Sequence, residues 1–152
     1  YRNALEFAKE REQFGRPIAE FQGLQWMLAD MSVQIEAARS LLHKAASSAG
    51  QNGSPFPDPT LAAQGKIFTS EMALKVTNDA LQMFGARGYS RNYPMERLAR
   101  DARMFTIGGG TAQILRTVVA SRILEMKLPQ TREGFLQMAE REASKKGLQA
   151  AE

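Results

Sequence analysis

Three consecutive glycines stand directly before a predicted helix start in the stretch TIGGGTAQILR, residues 106–116. Gly108, Gly109 and Gly110 have no Cβ and adopt positive φ readily, so their backbone N–H groups can converge on an anion. Thr111 is a favourable N-cap, and the helix behind it would direct the positive end of its dipole at the same anion. The stretch has no acidic side chain and so offers no general base. An anion site and a tight interhelix turn explain the pattern equally well.

A second cluster of polar and aromatic residues lies in REQFGRPIAEFQ, residues 11–22. A guanidinium, two amides and an aromatic ring are groups that can bind a pyrophosphate and stack on or hydrogen-bond a nucleotide. A helix end with a basic residue and a glycine stop explains the same pattern without a ligand, and on the residues alone this second interpretation is favoured. The four residues concerned are Arg11, Gln13, Phe14 and Gln22.

A third stretch, QMFGARGYS at residues 82–90, ends a predicted helix and turns at two glycines. Such a turn permits close approach of the backbone to a ligand, but a C-cap at Gly85 explains it without one. The single histidine, His43, and the arginines of residues 97–103 are interpreted as solvent-facing or structural. The candidate chemistry is therefore confined to three glycine-containing stretches.

Composition narrows the function classes. The 152-residue chain has no Cys and one His, which excludes disulfides and a Cys nucleophile and argues against a His triad or a multi-His metal site. The net charge of +4 favours anionic partners, although weakly. No apolar run approaches the roughly 18 residues of a membrane span, so no membrane partner is predicted. The start, YRNALEFAKEREQFG, reads as the later part of a helix, and we expect a C-terminal piece of a longer protein.

Long helices are needed to position the three stretches. Apolar residues recur at alternating spacings of four and three from Leu24 to Ala45 and from Ala63 to Phe84, which places each set on one helix face. No strand alternation is visible. We predict an all-α fold, an antiparallel four-helix bundle over residues 1–126, with a charged tail at 127–152 that is either a short amphipathic helix or largely disordered. The predicted helices cover residues 1–14, 21–48, 58–84, 95–105 and 111–126.

In their order and separation, the three stretches resemble the C-terminal helical domain of the acyl-CoA dehydrogenase family. The matching pieces are REQFGRPIAEFQ, then ALQMFGARGYSRNYPMERLARDARMFTIGGGTAQI, and the helix that follows. The resemblance covers nearly all of residues 1–126, and the ordered set is far more specific than any one piece. It implies a four-helix bundle that follows an N-terminal helical domain and a central β domain, both absent from this sequence.

The resemblance implies an FAD-dependent enzyme that oxidises the Cα–Cβ bond of an acyl-CoA substrate. An acid side chain removes the α-proton while hydride leaves Cβ for the flavin. Members are homodimers or homotetramers whose neighbouring subunits share each FAD site, and they pass electrons to an electron-transfer acceptor. We expect this domain to supply FAD contacts and oligomer surfaces, to be inactive alone, and to come from the bacterial cytoplasm or the mitochondrial matrix.

The resemblance also implies individual site residues. The first stretch matches positions that meet the FAD pyrophosphate and adenosine of a neighbouring subunit, and the second stretch is a further cofactor contact, in which the family commonly has Gly where Ala86 stands. The start of the last long helix matches flavin-side contacts. Gly109 and Gly110 are the implied substrate residues, with Gly110 beside the thioester. The implied cofactor residues are Arg11, Gln13, Phe14, Gln22, Gln82, Phe84, Gly85, Ala86, Thr111 and Gln113.

The catalytic base is missing from its commonest place. Many members carry a Glu in this loop, in a pattern like YEGTSEI, and the aligned pair here is Gly108-Gly109, so that the usual base position is Gly109. In one account the Glu lies upstream of Tyr1, as in the isovaleryl-CoA and long-chain enzymes, and the glycines leave room for a substrate branched near Cα. In the other account there is no base, and the fold performs non-oxidising or monooxygenase flavin chemistry.

Two functions of other classes are alternatives. One family relative responds to DNA alkylation and binds DNA through a basic C-terminal domain, which the charge of +4 permits. Because the basic residues are dispersed and the tail mixes signs (EREASKKG), nucleic-acid binding is disfavoured. An assembly bundle without a ligand is the other alternative, and it predicts that substituting Arg11 and Gln82 leaves flavin retention unchanged.

Overall fold

A computed structural model describes residues 1–130 and 132–149. These residues form mostly α-helices, which confirms the all-α prediction. Within these ranges, none of the helices combines the length and the apolar character that a membrane crossing demands. The helices described are α1 (Arg2–Glu10), α2 (Gln22–Ser47), α3 (Pro59–Phe84), α4 (Ala86–Tyr89), α5 (Met95–Phe105), α6 (Ala112–Ile123) and α7 (Arg132–Gln149).

The prediction of one helix over residues 1–14, without any strand, is wrong after Glu10. There α1 ends, and two short strands, β1 (Glu12–Gln13) and β2 (Arg16–Pro17), pair antiparallel in a hairpin. Strands of two residues are too short to show an alternating apolar pattern, which is why the sequence does not reveal them. A single 3-10 turn, Ile18–Glu20, then leads into α2.

The two longest helices begin and end within one residue of their predicted bounds. Asp58 caps α3, because its carboxylate accepts a hydrogen bond from the Leu61 N–H at 2.9 Å. Pro59 takes the first helical position, where its missing N–H costs nothing. The sequence therefore identifies the start of α3 correctly, through its capping chemistry.

The apolar stripe of α2 is only partly buried. Met31, Ala38 and Ala45 are buried as the spacing predicts, whereas Leu42 on the same stripe remains 47% exposed. The spacing identifies the face of α2 that packs, but not how completely a neighbouring helix covers it.

Helix α3 lies at the centre of the bundle and packs against α1, α2, α5 and α6. Its C-terminal half contributes most to one core cluster that also includes residues of α1, α2 and α5. Because this cluster gathers so many elements, it fixes the hairpin and the C-terminal end of α3 at the same end of the molecule. The buried members are Ala4, Ala8, Ile18, Met31, Val76, Ala80, Met83, Phe84 and Met95.

The last predicted helix ends three residues early, at Ile123 rather than Met126. Glu125 takes a positive φ of 52°, and the Ser121 hydroxyl donates to the Met126 carbonyl, so the chain leaves the helical path there. In the tail, α7 is longer than the short amphipathic helix that was one of the two expectations. Phe135 on α7 is 68% exposed.

Candidate functional site

The hairpin presents an aromatic side chain on an unusual turn. Phe14 and Gly15 occupy its two central positions with φ of 54° and 76°. Positive φ at both positions is the geometry that joins two short antiparallel strands most naturally, but it is uncommon for a phenylalanine. The Phe14 side chain is nevertheless 94% exposed. A strained residue with a large exposed ring is a feature that accompanies binding sites.

Contacts hold the hairpin in place, although the ring of Phe14 at its tip remains exposed. The Arg16 guanidinium lies 4.3 Å from the centroid of the Phe21 ring, and the Phe14 ring meets Phe21 edge-on at 6.2 Å. The Ile18 N–H donates to the Arg11 carbonyl oxygen at 2.7 Å, and Ile18 itself is buried. These contacts leave the side chain of Phe14 directed to solvent on a fixed support.

Three more predicted cofactor residues lie in or beside this hairpin. Gln13 is exposed, and its side-chain amide donates to the Glu12 carbonyl oxygen at 2.7 Å. Gln22 is exposed at the first position of α2, directly after Phe21. Arg11 is partly buried. The structure therefore brings the first predicted stretch together as one polar and aromatic surface.

The C-terminal end of α3 is built around stacked rings. Phe84 is 8% exposed and stacks on Phe7 at 4.1 Å, with the ring planes 13° apart. Tyr93 meets the same ring edge-on at 6.0 Å, and the Arg87 guanidinium lies 5.8 Å from the Phe7 centroid. Because the Phe84 side chain is buried in the core, Phe84 could contact a ligand only through its backbone.

The turn after α3 is exposed, unlike the ring beneath it. Gly85 has a φ of 56° and a ψ of −136°, and its N–H donates to the Gln82 carbonyl oxygen at 3.0 Å, as expected of a C-cap. The side chains of Gln82 and Ala86 are exposed. Gly88 follows in α4, where an added Cβ would stand 2.4 Å from the Leu81 carbonyl oxygen. The close packing of α4 on α3 thus depends on that glycine.

The glycine loop lies open to solvent. Gly109 and Gly110 are exposed, with φ of 67° and 89°, and an added Cβ on Gly109 would meet no atom within 4 Å. Thr111 caps α6, because its hydroxyl oxygen accepts from the Ile114 N–H at 3.2 Å. In the part of the chain that the structure describes, the N–H groups of Gly109, Gly110 and Thr111 have no hydrogen-bond partner. These three N–H groups are therefore available to an anion, as the sequence predicts.

The loop is tied to α3 by a lysine that the sequence does not single out. The Lys66 ammonium donates to the Gly110 carbonyl oxygen at 2.5 Å, across 44 positions of sequence. Beyond the loop, the Arg116 guanidinium donates to the Glu71 carboxylate at 2.8 Å, and this hydrogen bond lowers the pKa of Glu71 and raises that of Arg116. No sequence pattern reveals either pairing, since the partners are 44 and 45 positions apart in the chain.

The predicted site residues form two groups at a distance from each other. Lys66, which contacts the glycine loop, and Phe84, which precedes the Gly85 turn, are 18 residues apart on α3, or about 27 Å along its axis. Allowing for the reach of the lysine side chain, the two groups lie on the order of 20 Å apart. In residues 1–130 and 132–149, no group of three or more His, Asp or Glu residues could hold a metal ion.

Comparison with known proteins identifies the family. The family model described as the acyl-CoA dehydrogenase C-terminal domain matches residues 1–124. The chain is 67% identical over 136 residues to a 3-sulfinopropanoyl-CoA desulfinase of Cupriavidus necator, with 90% of the chain covered. It is 66% identical over 140 residues to the protein of the same name from Advenella mimigardefordensis, with 92% covered. The chain spans about a third of these relatives, 33% and 34% of their lengths.

A solved structure shows the same fold. Butyryl-CoA dehydrogenase from Megasphaera elsdenii superposes with a TM-score of 0.75 at 43% identity, over 81% of this chain and 31% of that one. The hairpin, the stacked end of α3 and the glycine loop all lie within the residues that the family model matches. The chain belongs to the acyl-CoA dehydrogenase family, and residues 1–124 correspond to the C-terminal domain of that family.

Proposed function

We propose that this chain is the C-terminal domain of an FAD-binding enzyme that removes the sulfinate group from 3-sulfinopropanoyl-CoA. The observation that carries the proposal is the identity of 67% and 66% to two desulfinases, against 43% to butyryl-CoA dehydrogenase. The enzyme would act on a CoA thioester in either case. The higher identity favours desulfination over dehydrogenation as the reaction.

Glycine at position 109 suits an anionic substrate group. A sulfinate carries a negative charge, and a carboxylate about 4 Å away would repel it by roughly 4 kcal/mol at an effective dielectric constant of 20. Gly109 carries no charge, its φ of 67° favours glycine, and the space around it is open. The absence of a base from the loop therefore agrees with a reaction in which the substrate itself is anionic.

The atoms and electrons of desulfination also balance without the catalytic base that dehydrogenation requires. The bond between C3 and sulfur breaks, C3 keeps the electron pair and takes a proton, and the sulfur takes the oxygen of a water molecule. The products are propanoyl-CoA and sulfite. No electrons leave the substrate, so the reaction would consume no external electron acceptor.

The two groups of residues described above would contact different parts of FAD. The hairpin and the Gly85 turn, through Arg11, Gln13, Phe14, Gln22, Gln82, Phe84, Gly85 and Ala86, would hold the pyrophosphate and adenosine of a neighbouring copy. Thr111 and Gln113 would contact the flavin of the copy's own site, with Gly109 and Gly110 beside the thioester. A separation on the order of 20 Å between the groups supports sites that are shared by two copies of an oligomer.

Dehydrogenation of an acyl-CoA is the second candidate. The superposition on butyryl-CoA dehydrogenase supports it, and it would require a carboxylate base from outside residues 1–152 and an electron-transfer partner. A base is effective there only if burial raises the pKa of its carboxyl group.

One pair of assays separates these candidates in the full-length protein. Sulfite release is measured from 3-sulfinopropanoyl-CoA without an acceptor, and dye reduction is measured with saturated acyl-CoA thioesters. The proposal expects sulfite release and no dye reduction. Dye reduction without sulfite release would establish the dehydrogenase instead. The isolated chain, residues 1–152, is expected to catalyse neither reaction. If its turnover were comparable to that of the full-length protein, the proposal that it carries only part of the active site would be contradicted.

The FAD contacts are tested separately by flavin retention. Substituting Arg11→Ala together with Gln82→Ala in the full-length protein is expected to lower the bound flavin per subunit. Arg39→Ala is the matched control, since Arg39 is an exposed arginine of α2 that pairs only with Glu36 in the described residues. Equal flavin content in all three proteins would favour an assembly bundle without a ligand.

A further inference from the structure

The hydrogen bond between Lys66 and Gly110 restrains the glycine loop from outside. Its donor is a charged ammonium group, and its length is 2.5 Å. Within the described ranges, it is the only hydrogen bond that joins residues 108–110 to α3. Lys66 is partly buried in the second turn of α3, on a helix whose position the core fixes. The lysine therefore couples the loop to the central helix of the bundle.

The orientation of one carbonyl determines the orientation of the next N–H. The peptide between Gly110 and Thr111 is planar and trans, so its C=O and N–H bonds point in opposite directions. Because the Gly110 carbonyl is turned toward Lys66, the Thr111 N–H is turned away from α3. That N–H has no partner in the described part of the chain, so it is free to meet a ligand.

Glycine makes this restraint necessary. Gly109 and Gly110 have φ of 67° and 89°, and a glycine populates positive and negative φ about equally. Steric restriction by side chains therefore does not hold the peptide in one orientation. The next ion pair, between Arg116 and Glu71, joins α6 to α3 but leaves the loop itself untouched, and both side chains are about half exposed. Backbone hydrogen bonds close the two ends of the loop, and in the described residues the Lys66 contact is the one that acts on the Gly110 carbonyl.

We propose that Lys66 is a positioning residue, which holds the Gly110–Thr111 peptide so that its N–H faces the bound FAD and CoA thioester. The inference rests on the proposed function for the identity of those ligands. Without the ammonium group the peptide can rotate, and the ligand loses an aligned donor at the moment when charge develops on it. The cost then appears in the rate of the chemical step more than in binding.

The test uses the full-length protein and three variants. Lys66→Met removes the donor and keeps much of the side-chain volume, and Lys66→Arg keeps a cationic donor. Lys75→Met is the matched control, because Lys75 lies further along α3, is exposed, and pairs only with Asp79 in the described residues. The measurements are kcat and KM for sulfite release, flavin content, and the change in flavin absorbance on addition of propanoyl-CoA.

Lys66→Met is expected to lower kcat about 10-fold or more while KM and flavin content change less than about 3-fold. Its absorbance change with propanoyl-CoA should be reduced, and Lys66→Arg should recover most of both effects. Lys75→Met should match the wild type. If the Lys66→Met protein keeps the wild-type kcat and absorbance change, the proposed role of Lys66 is overturned and the proposed function is unaffected. A wild-type protein that holds no flavin or shows no response to the thioester contradicts the proposed function, and this inference with it.

Discussion

The two ends of the candidate site are held in opposite ways. At the C-terminal end of α3, Phe7, Phe84 and Tyr93 stack into the core, and the exposed hairpin sits on that support. At the glycine loop the exposed backbone is held by the lysine hydrogen bond and by backbone hydrogen bonds, such as that from the Ala112 N–H to the Thr106 carbonyl oxygen at 3.0 Å. The first end is rigid because apolar surface is buried beneath it, whereas the second is held mainly by polar contacts.

This difference predicts that the two ends contribute differently to stability and to function. Residues beneath the first end should matter chiefly for folding, whereas residues at the second end should matter chiefly for chemistry. The exposed tip of the hairpin, Phe14, combines both features, because it is a proposed binding residue held on a strained turn. Substitutions at each place therefore test whether the division is real.

The largest effect is expected beneath the aromatic end. Phe84→Ala removes a ring that is 8% exposed and stacked at 4.1 Å on Phe7, and we expect a loss of about 3–5 kcal/mol in the free energy of unfolding. Phe14→Ala, which truncates an exposed ring of the same type, should cost less than about 0.5 kcal/mol. Chemical denaturation of both variants measures the contrast, and similar losses would show that the hairpin tip also belongs to the core.

A charge at the glycine loop should reduce activity with little effect on folding beyond backbone strain. Gly109→Glu places a carboxylate near the proposed position of the sulfinate, and we expect sulfite release by the full-length protein to fall about 100-fold or more, given a repulsion of roughly 4 kcal/mol at close range. Gly109→Gln has the same size without the charge and should retain clearly more activity. Equal activity in the two variants would mean that shape, and not charge, explains the glycine.

A substitution that relieves the strained turn should raise the free energy of unfolding and lower the affinity for FAD. Phe14→Gly relieves a positive φ of 54°, so the free energy of unfolding should rise by about 1 kcal/mol. The same change removes an exposed ring from the proposed cofactor surface, and FAD affinity in the full-length protein should fall. Thermal unfolding and flavin titration give the two values. Unchanged affinity would remove Phe14 from the binding surface.

The smallest effect is expected at the ion pair between α3 and α6. The hydrogen bond from Arg116 lowers the pKa of Glu71 in the folded state, so its stabilisation is present above the ordinary glutamate pKa, about 4.3, and is lost as the pH falls through the folded pKa. Because both side chains are about half exposed, the contribution should be below about 1 kcal/mol. Glu71→Gln should therefore unfold more easily than the wild type at pH 7, and the difference should shrink as the pH falls below about 4.3.

Local signals in the sequence account for much of the fold. Gly85 and Thr111 are caps whose chemistry depends on neighbouring residues alone, and the structure places both as predicted. The hairpin was missed because its turn requires Phe14 in a conformation that phenylalanine seldom adopts. Lys66 was missed because its partner is 44 positions away.

The candidate site was only partly accessible from the sequence. The three stretches were recognised from their glycines and polar residues, but their separation along α3 follows from the packed structure. The core position of Phe84 was predicted by its place on the apolar stripe, although its ring cannot then contact a ligand. The close packing of α4 against Leu81 requires glycine at position 88, but no local sequence pattern distinguishes Gly88 from other turn glycines.

The central claim is that a flavin-binding thioester enzyme with glycine at position 109 removes sulfinate instead of oxidising its substrate. It is tested most directly by mixing the full-length protein with 3-sulfinopropanoyl-CoA without oxygen or an acceptor, while sulfite and flavin absorbance are followed together. The account predicts many equivalents of sulfite per flavin while the oxidised flavin spectrum persists through turnover. Bleaching of the flavin without release of sulfite would contradict it.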